Sequence, residues 1–477
     1  MFSSMIVWVV LFVSAWFFLR GRFSNSKLPP GPPRGLSGDN RGQIPLVQPY
    51  KTWSHLAKTY GNIFSFVIGS KVVIVLNDAR TAWELLEKRG EIYSSRPRSI
   101  VGQEILSRNM WGLGMAYSDK WRKWRKLQHS CLNAKFATSV AFSISYGSRI
   151  KSLDDQIVKD NNEAGRAFGT AQIPGRYIVE SWPILLWLPK FLQWFRWEVE
   201  KRRLIDIQLY LSCFRDVKRK MEEGNAKPSM STKMWEEGPS EDIGEIEMAY
   251  HVASPFAAGI STISSTLDVF LLAMIHFPDC ARRAQAELDS VVGRSRMPTF
   301  DDESSLPYLQ ALIKEIMRWR VVAPMAMPHA TTEDDVYEGY HIPKGATVFA
   351  NLYMISKDPK LFPEPEAFKP ERFLDTTEPR LVNFDLPFGF GRRICPAQFV
   401  AEKSLFITIS RMLWSFDIAP ALDEAGNPLL PDPDAFKSNL TARPAPFNFR
   451  LTTRNSEAGK AVLAEAIQSE DALKEWE

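Results

Sequence analysis

The sequence predicts a mainly helical chain with a small amount of strand, and three segments support this prediction. Glu245–Phe277 reads as one long helix, which would span roughly 45–50 Å and cross a large domain. Leu309–Arg320 has apolar residues at helical spacing along one face. The strand patterns are shorter: Ile63–Ile68 and Val72–Leu76 are β-branched runs on either side of a Gly-Ser pair, which is typical of a hairpin.

The segments around this hairpin extend the pattern. Tyr50–Tyr60 and Asp78–Arg89 are predicted to be helices, whereas Ser99–Met115 is rich in Gly and short polar residues and is predicted to be a loop. Gln172–Gly224 contains an unusually aromatic stretch, formed by Trp182, Leu185, Leu186, Trp187, Leu188, Phe191, Trp194, Phe195 and Trp197. Such a surface could enter a membrane or line a substrate entrance, and core packing is an equally good interpretation.

The composition indicates a large core and argues against nucleic acid as a partner. The chain has 477 residues, of which 45% are hydrophobic, and its length alone would suggest two to four domains. Lys and Arg number 59 against 55 Asp and Glu, a balance without the basic excess that nucleic acid attracts. The four Cys residues are far apart and lack zinc spacing, which suits a reducing compartment.

The N-terminal segment predicts a membrane anchor. Met5–Leu19 is apolar and uncharged, and with the residues before it approaches the roughly 20 residues that span a bilayer. Basic residues follow this run and none precedes it, so the positive-inside rule leaves the rest of the chain in the cytosol. A cleaved signal peptide would need a basic residue before the run and a small-residue cleavage site after it, and neither is present. We therefore expect an anchor at residues 1–20 and a basic, Pro-rich hinge at residues 21–49.

A loop near the C-terminus carries the most informative chemistry. Residues 388–397, with the sequence FGFGRRICPA, are followed by an apolar run with helical spacing, Phe399–Phe416. Cys395 therefore lies just before a helix N-terminus, where free amide N–H groups and the helix dipole favour a thiolate. Such a thiolate is a candidate axial ligand of haem iron, and a buried structural Cys is the alternative.

This loop resembles the Cys-ligand loop of the cytochrome P450 superfamily, whose pattern is Phe-x-x-Gly-x-Arg-x-Cys. Phe388, Gly391, Arg393 and Cys395 match it position by position, and Ala397 replaces the usual Gly. The resemblance implies a mainly α fold with a small β region, formed by one catalytic domain at residues 50–455 with a charged tail at residues 456–477. It also implies haem b with Cys395 as the thiolate ligand.

Two further segments resemble the positions where this family holds the haem propionates. Trp121 and Arg125 lie four apart in a helical pattern at Ser118–Cys131, as in the family's Trp-x-x-x-Arg helix. Arg suits a buried carboxylate because it is always charged and can bond to it through two N–H groups. His329 and Arg393 also match propionate-binding positions. The alternatives are an ordinary amphipathic helix and a surface His.

The order of three charged residues supports the same resemblance. Glu315 and Arg318 lie three apart on one helix face, and Arg372 follows in a Pro-Glu-Arg-Phe sequence. Pairs of this kind are usually superficial, whereas buried charges need mutual pairing. The spacing predicts a Glu315–Arg318–Arg372 network.

The centre of the long helix resembles the family's oxygen-activation segment, with one departure. In Ala257–Thr262 the small residues would let a flat cofactor approach, and Thr262 would help deliver protons during oxygen activation. The acid that the family has before this Thr is Ser261 here, which can only relay a proton through water. Pro255 is also unusual because, inside a helix, it leaves a carbonyl without a partner and kinks the axis.

A second departure concerns length. Residues 137–147 resemble a segment that, in the family, follows a further helix and its loops. Here only residues 132–136 separate this segment from the predicted helix that ends at Cys131. We expect either a genuine deletion or an incorrectly assembled coding sequence.

The resemblance, which is closest to fungal microsomal members, predicts a monooxygenase that inserts one oxygen atom into a lipophilic small molecule. Electrons would come from an NADPH-dependent flavoprotein reductase, and the single-pass protein would lie in the endoplasmic reticulum membrane, in contact with lipid. Two alternatives remain at this stage. Ser261 favours a haem isomerase or dehydratase that does not use dioxygen, and the missing helix favours a non-catalytic product of a degraded gene.

Overall fold

The structure is a computed structural model that describes residues 27–35, 38–122, 125, 139–150, 152, 154–238, 243–438, 441–474 and 476. The predicted anchor, Cys131 and the short connection at residues 132–136 lie outside the described residues. The described helices are α1 (Pro49–Tyr60), α2 (Ala79–Trp83), α3 (Gly90–Tyr93), α4 (Ser139–Tyr146), α5 (Gln156–Ala171), α6 (Ile178–Ser181), α7 (Trp194–Glu222), α8 (Met230–Glu237), α9 (Glu245–Val252), α10 (Ser254–His276), α11 (Pro278–Val291), α12 (Pro307–Trp319), α13 (Leu352–Ile355), α14 (Pro379–Val382), α15 (Gln398–Ser415) and α16 (Ser456–Lys474). Residues 119–122 and 125 are also helical.

The strands that the structure describes form four small sheets. They are β1 (Ile63–Ile68), β2 (Lys71–Leu76), β3 (His329–Ala330), β4 (Asp335–Tyr337), β5 (Tyr340–Ile342), β6 (Thr347–Ala350), β7 (Phe416–Leu422), β8 (Pro428–Leu429), β9 (Phe436–Ser438), β10 (Ala442–Pro444) and β11 (Phe449–Thr453). The largest sheet has the order β1-β2-β6-β3, with β2 and β6 parallel and the other pairs antiparallel. The predicted hairpin is β1 and β2, and the mainly helical character of the chain is confirmed.

The long helix crosses the core, but it is divided in two. The predicted long helix at Glu245–Phe277 is present as Glu245–His276, interrupted at one residue: α9 ends at Val252, Ala253 keeps right-handed helical backbone angles, and α10 begins at Ser254. Pro255 explains the break because it has no N–H to continue the hydrogen-bond ladder. Glu245–His276 has the length and apolar composition of a membrane span, yet 56% of its most apolar window is buried inside the protein, as expected of a core helix.

The segment predicted to be a loop after α3 is partly helical. Ile100–Leu106 forms a π-helical turn, which we call the roof turn, and the Ser99 side chain accepts a hydrogen bond from the Gly102 N–H at its start. Its buried side chains pack on α5, α6 and α7 through Ala171, Val179 and Phe195. The loop prediction failed here because these tertiary contacts, rather than local propensity, stabilise the turn.

The aromatic stretch before and within α7 is largely exposed. Trp187 is 85% exposed and Phe191 is 73% exposed, whereas Phe195 alone among the aromatic residues of this stretch is buried. Core packing is therefore the wrong interpretation for four of the nine residues, Trp187, Phe191, Trp194 and Trp197, whereas Trp182, Leu185, Leu186 and Leu188 are half-buried. The exposed side chains, which we call the aromatic patch, are Ile184, Trp187, Phe191, Leu192, Trp194 and Trp197.

Candidate active site

The Cys395 loop is shaped by its glycines and by the helix that follows it. Gly391 has φ +53°, and a Cβ on it would lie 2.5 Å from the Leu86 carbonyl oxygen, so a larger residue would not fit. The Cys395 N–H donates to the Phe388 carbonyl at 2.8 Å, which closes the loop. α15 begins at Gln398, so Cys395 lies just before a helix N-terminus, as predicted.

The surroundings of the Cys395 thiol act on its pKa in opposite directions. Burial raises the pKa, while the Ala397 N–H and the positive charge of Arg125 lower it. Arg125 reaches this loop directly, because its guanidinium donates to the Ile394 carbonyl. The thiol is therefore held in a preformed loop beside a cation, and this donor set suits a single thiolate ligand of haem iron.

Arg393 points from this loop into the interior. Its Nε donates to the Ser94 carbonyl at 2.7 Å and its Nη2 donates to the Met115 carbonyl at 2.8 Å. The guanidinium carbon lies 3.9 Å from the centroid of the Trp121 ring, which is itself buried. Two residues that were predicted from distant parts of the chain are thus in direct contact.

Arg96, which the sequence analysis did not single out, joins this group. Its Nη1 donates to the Pro328 carbonyl at 2.8 Å, and its Nε donates to the Leu113 carbonyl at 3.1 Å. Burial and the charge of Arg125 lower the pKa of Arg96 to about 9. Burial, followed by the charges of Arg96 and Arg125, lowers the pKa of Arg393 to about 8. No local pattern distinguishes Arg96 from a surface Arg such as Arg98, so the sequence offered no signal.

His329 is buried in β3 beside the arginines, and the surface alternative is wrong. Its Nδ1 lies 2.8 Å from the Tyr93 carbonyl oxygen, so Nδ1 carries the proton of this hydrogen bond. Burial and the charge of Arg96 lower the pKa of His329 to about 3. The imidazole is therefore neutral in this environment, and a nearby anion would favour its charged form.

The buried arginines have no acidic partner within the described part of the chain. Arg96, Arg125 and Arg393 make hydrogen bonds to backbone carbonyls, and no described carboxylate lies within ion-pair distance of them. Buried positive charges that repel one another are costly unless an anion compensates them. The two carboxylates of a haem group are such an anion, so the residues present fit this cofactor.

The middle of α10 carries small side chains that the neighbouring elements leave partly uncovered, and we call this place the opening. Ala258 is exposed and Gly259, Ser261 and Thr262 are half-buried, although most of the helix around them is buried. The Thr262 hydroxyl donates to the Ala258 carbonyl at 2.9 Å. The two predicted residues, Ser261 and Thr262, therefore lie on a face of α10 that is not fully covered.

The predicted charged network forms in the core. Arg318 donates to both carboxylate oxygens of Glu315, at 2.7 and 2.8 Å, and Arg372 Nε lies 3.1 Å from Glu315 Oε2. The remaining Arg318 donors reach the backbone carbonyls of Ser356, Pro365 and Ala367. The three charges are thus paired and almost fully hydrogen-bonded in a buried place.

Comparison with known proteins gives a consistent result. The sequence model of the cytochrome P450 family matches residues 29–135 and 128–443. A cytochrome P450 monooxygenase of Armillaria gallica is 34% identical over 503 aligned residues, which cover 94% of each chain. Similar proteins of Postia placenta and Coprinopsis cinerea are 35% and 34% identical; the first alignment covers 90% of each chain, and the second covers 97% of this chain and 95% of its relative.

The comparisons also bear on the short connection after Cys131. The family match is divided in two, and the two parts meet at residues 128–135, where the sequence predicted missing residues. The alignments with the Armillaria and Coprinopsis proteins run over 503 and 510 residues, which is more than the 477 residues of the chain. These alignments therefore include positions at which this chain has no residue.

The family is established by the extent of these matches. Its members use haem b and generally receive electrons from NADPH through a reductase, and they generally act on lipophilic substrates. The chain belongs to the cytochrome P450 family and is a haem-thiolate monooxygenase, an oxidoreductase that incorporates one atom of dioxygen into its substrate.

Proposed function

We propose that this monooxygenase oxidises a lipophilic small molecule, such as a secondary metabolite, a terpenoid, an aromatic compound or a xenobiotic. The observation that carries the proposal is the opening beside α10, whose wall is formed by the small residues at Ala257–Thr262. Met110, Leu113 and Met327 are partly buried apolar side chains that pack against the same hydrophobic cluster as Ala257 and Ile260 of α10. A pocket of this composition favours a ligand without charge.

In the proposed mechanism two sets of residues would hold the cofactor. Cys395 would supply the thiolate ligand from its loop, with Phe388 and Gly391 fixing the loop. Arg96, Trp121, Arg125, His329 and Arg393 would hold the propionates. Bound haem supplies the oxygen chemistry, and the protein supplies orientation, exclusion of water and proton delivery.

Thr262 and Ser261 are proposed to serve proton delivery. The Thr262 hydroxyl now donates to the Ala258 carbonyl, and a small rotation of its side chain would turn it towards the opening. Ser261 has no ionisable proton at neutral pH, so it would act only by holding a water molecule. We therefore propose slow proton delivery as the property in which this enzyme departs from relatives with an acid at this position.

The charge network is proposed to have a structural role. Glu315, Arg318 and Arg372 lie in the core and join α12 to the segment that leads to the Cys395 loop. They would hold that segment in register without touching the substrate.

The first experiment is the carbon monoxide difference spectrum of the reduced, full-length protein in membranes. A Soret band of the thiolate-ligated type is expected for the native protein and should be lost in Cys395→Ser. A native protein without this band would contradict the proposed site. Oxidation of lipophilic compounds should then require both NADPH and the reductase.

A second candidate function is favoured by Ser261 alone. A haem isomerase or dehydratase would rearrange an oxygenated substrate without using dioxygen, and it would not need the missing acid. Turnover of such a substrate without NADPH and reductase would support this candidate. Strict dependence on NADPH would exclude it.

We also propose that the protein is a single-pass protein of the endoplasmic reticulum membrane, with residues 1–20 as the anchor, residues 21–49 as the hinge and residues 50–455 as a cytosolic catalytic domain. The aromatic patch supports a second contact with lipid, because exposed Trp and Phe side chains favour the membrane interface. Lys190, which lies between Trp187 and Phe191 in the sequence, would face the lipid head groups.

This contact can be tested by tryptophan quenching in vesicles that contain brominated lipid. All proteins in this test are full-length and carry Trp8→Phe and Trp16→Phe, because these two Trp residues of the proposed anchor would themselves be quenched. In this background, changing Trp187, Trp194 and Trp197 together to Phe should remove most of the quenched fluorescence. Trp235→Phe, in α8 and stacked on Phe214, is the control and should leave the quenched fraction unchanged. Equal quenching of the native protein and the triple variant would contradict lipid contact.

A further inference from the structure

One short segment lies between the arginine cluster and the helices α5 and α7, which we call the lid helices. This roof segment, Trp111–Met115, follows the roof turn and is held at its C-terminal end by two site arginines. Arg96 donates to the Leu113 carbonyl at 3.1 Å, and Arg393 donates to the Met115 carbonyl at 2.8 Å. Any displacement of the roof segment therefore acts on the same guanidinium groups that fit the haem carboxylates.

A buried amide fixes the middle of this region. Gln103 is 4% exposed, and its Nε2 donates to the Trp111 carbonyl at 3.1 Å, while its Oε1 accepts from the Ser107 hydroxyl at 2.6 Å. A Cβ on Gly114 would lie 2.4 Å from Gln103 Nε2, so the amide can occupy this place only because residue 114 is Gly. The roof segment is therefore rigid between its two ends.

The chain between these groups is also constrained. Arg108 and Asn109 have φ values of +47° and +59°, a conformation that residues other than Gly adopt at a cost. The Asn109 N–H donates to the Gln103 carbonyl at 2.7 Å, which holds this turn closed. The turn directs the chain so that residue 111 faces the lid helices.

Trp111 is the contact at the other end. Its buried ring stacks on Phe168 of α5, with 5.0 Å between ring centroids and 16° between planes. The edges of two further rings approach it, Tyr210 of α7 at 6.3 Å and Tyr250 of α9 at 6.4 Å. One side chain thus connects the roof segment to three separate helices.

We propose that Trp111 is a positioning residue that couples the lid helices to the haem-carboxylate arginines and so controls how large ligands enter the pocket. Stacking on Phe168 would keep the roof segment closed against α5. Opening would require the stack to separate and would loosen the hydrogen bonds that Leu113 and Met115 accept. This inference rests on the proposed assignment of the opening beside α10 as the substrate pocket.

The test compares the association rates of two nitrogen ligands of the haem iron, imidazole and the larger 4-phenylimidazole, by stopped-flow absorbance on the full-length holoprotein. In Trp111→Leu the aromatic stack is lost while an apolar side chain remains. We expect the 4-phenylimidazole rate to rise roughly tenfold and the imidazole rate to change less than about twofold. Trp111→Phe keeps an aromatic ring and should restore the native ratio of the two rates.

Two further variants make the outcome decisive. Phe168→Leu removes the same stack from the α5 side and should reproduce the effect even if Trp111→Leu does not fold. Trp235→Leu removes a comparable stack, in which Trp235 and Phe214 lie 4.3 Å apart, and should change only thermal stability. The proposal would be overturned if the Phe168 and Trp111 variants keep native association rates. It would also be overturned if the rates of both ligands rise equally, or if Trp235→Leu changes the rates as the Trp111 variant does.

The carbon monoxide spectrum of each variant separates this inference from the proposed function. A native spectrum with unchanged azole rates would contradict the role of Trp111 alone. Loss of the thiolate-type spectrum in the native protein would contradict the proposed site itself.

Discussion

The Glu315 carboxylate and the Arg318 guanidinium form a bidentate ion pair in a place where neither side chain is exposed to solvent. Arg372 completes the set at 3.1 Å, and backbone carbonyls accept the remaining Arg318 protons. Such a pair contributes little net free energy when it is intact, because both charges lose their hydration. The pair matters because removing one partner leaves the other as an uncompensated charge in the core, which costs free energy of folding.

Glu315→Ala should therefore destabilise the protein by about 3–5 kcal/mol, because two arginine charges lose their partner in the core. The measurement is the free energy of unfolding in urea for the purified holoprotein. Glu366→Ala is the matched control, since Glu366 pairs with Lys357 at 2.9 Å but is 70% exposed. That substitution should cost less than about 1 kcal/mol, and equal effects of the two would contradict the structural role.

Arg96→Leu should weaken haem retention while relieving repulsion in the haem-free protein. Hydrogen bonds to a charged group contribute about 1.5–3 kcal/mol, so the rate of haem loss should rise roughly 10- to 100-fold. The measurement is haem transfer to an excess of apomyoglobin. Arg98→Leu serves as the control, because Arg98 is more than half exposed and pairs with Glu104. If Arg96→Leu retains haem as well as the native protein, the proposed propionate contact is wrong.

Asp206 should make stability depend on pH. Burial in α7 raises the pKa of its carboxyl from 3.8 to about 6, against the opposing effect of Arg202 at 2.6 Å. The folded carboxyl binds its proton more tightly than the unfolded one, so its stabilising contribution is complete below pH about 4 and is lost as the pH rises through about 6.

Relative to Asp206→Asn, the native protein should therefore lose about 2 kcal/mol between pH 4 and pH 7. The measurement is the free energy of unfolding of both proteins at intervals across this range. The negative charges of Asp160 and Glu163 of α5 also raise the pKa of Asp206. They therefore contribute to the expected pH dependence of stability. If the difference in unfolding free energy between the native protein and Asp206→Asn does not vary with pH, the raised pKa of Asp206 is contradicted.

Ser261→Asp should restore an ionisable proton beside Thr262. If proton delivery limits the native enzyme, product formed per NADPH consumed should rise about twofold or more. The measurement uses a substrate found by screening for a spin-state shift. Ser261→Asn has nearly the same shape and no acidic proton, so it should leave the ratio unchanged. An unchanged ratio in Ser261→Asp would show that proton delivery does not limit coupling.

The spacing of apolar residues predicted those elements that bury one regular face of their own sequence. The hairpin of β1 and β2, the amphipathic α12 and the helix after Cys395 were all expected from the spacing of apolar residues, and the structure contains them. The interruption at Ala253 was not foreseen. Pro255 was noted as a kink, but how far a Pro divides a helix depends on what packs around it.

The roof turn and the aromatic patch show the limit of the same reasoning. Residues 100–106 have a loop-like composition, yet contacts with α5, α6 and α7 make them helical. The aromatic residues of the patch have core-like composition, yet most are exposed. In both cases the composition indicates which environment a side chain favours. Only the packing of elements that are distant in the chain decides whether that side chain is buried or exposed.

The sequence by itself determined the chemistry of this protein. A single Cys in a Gly-Arg loop before a helix, together with the Glu-x-x-Arg and Pro-Glu-Arg-Phe segments, is enough to indicate the family, because these residue types and spacings serve one kind of site. Only the tertiary structure brought Arg96 to Arg393, buried His329 and joined Trp111 to Phe168. These relationships depend on burial and on contacts between residues far apart in the chain, which no local pattern records.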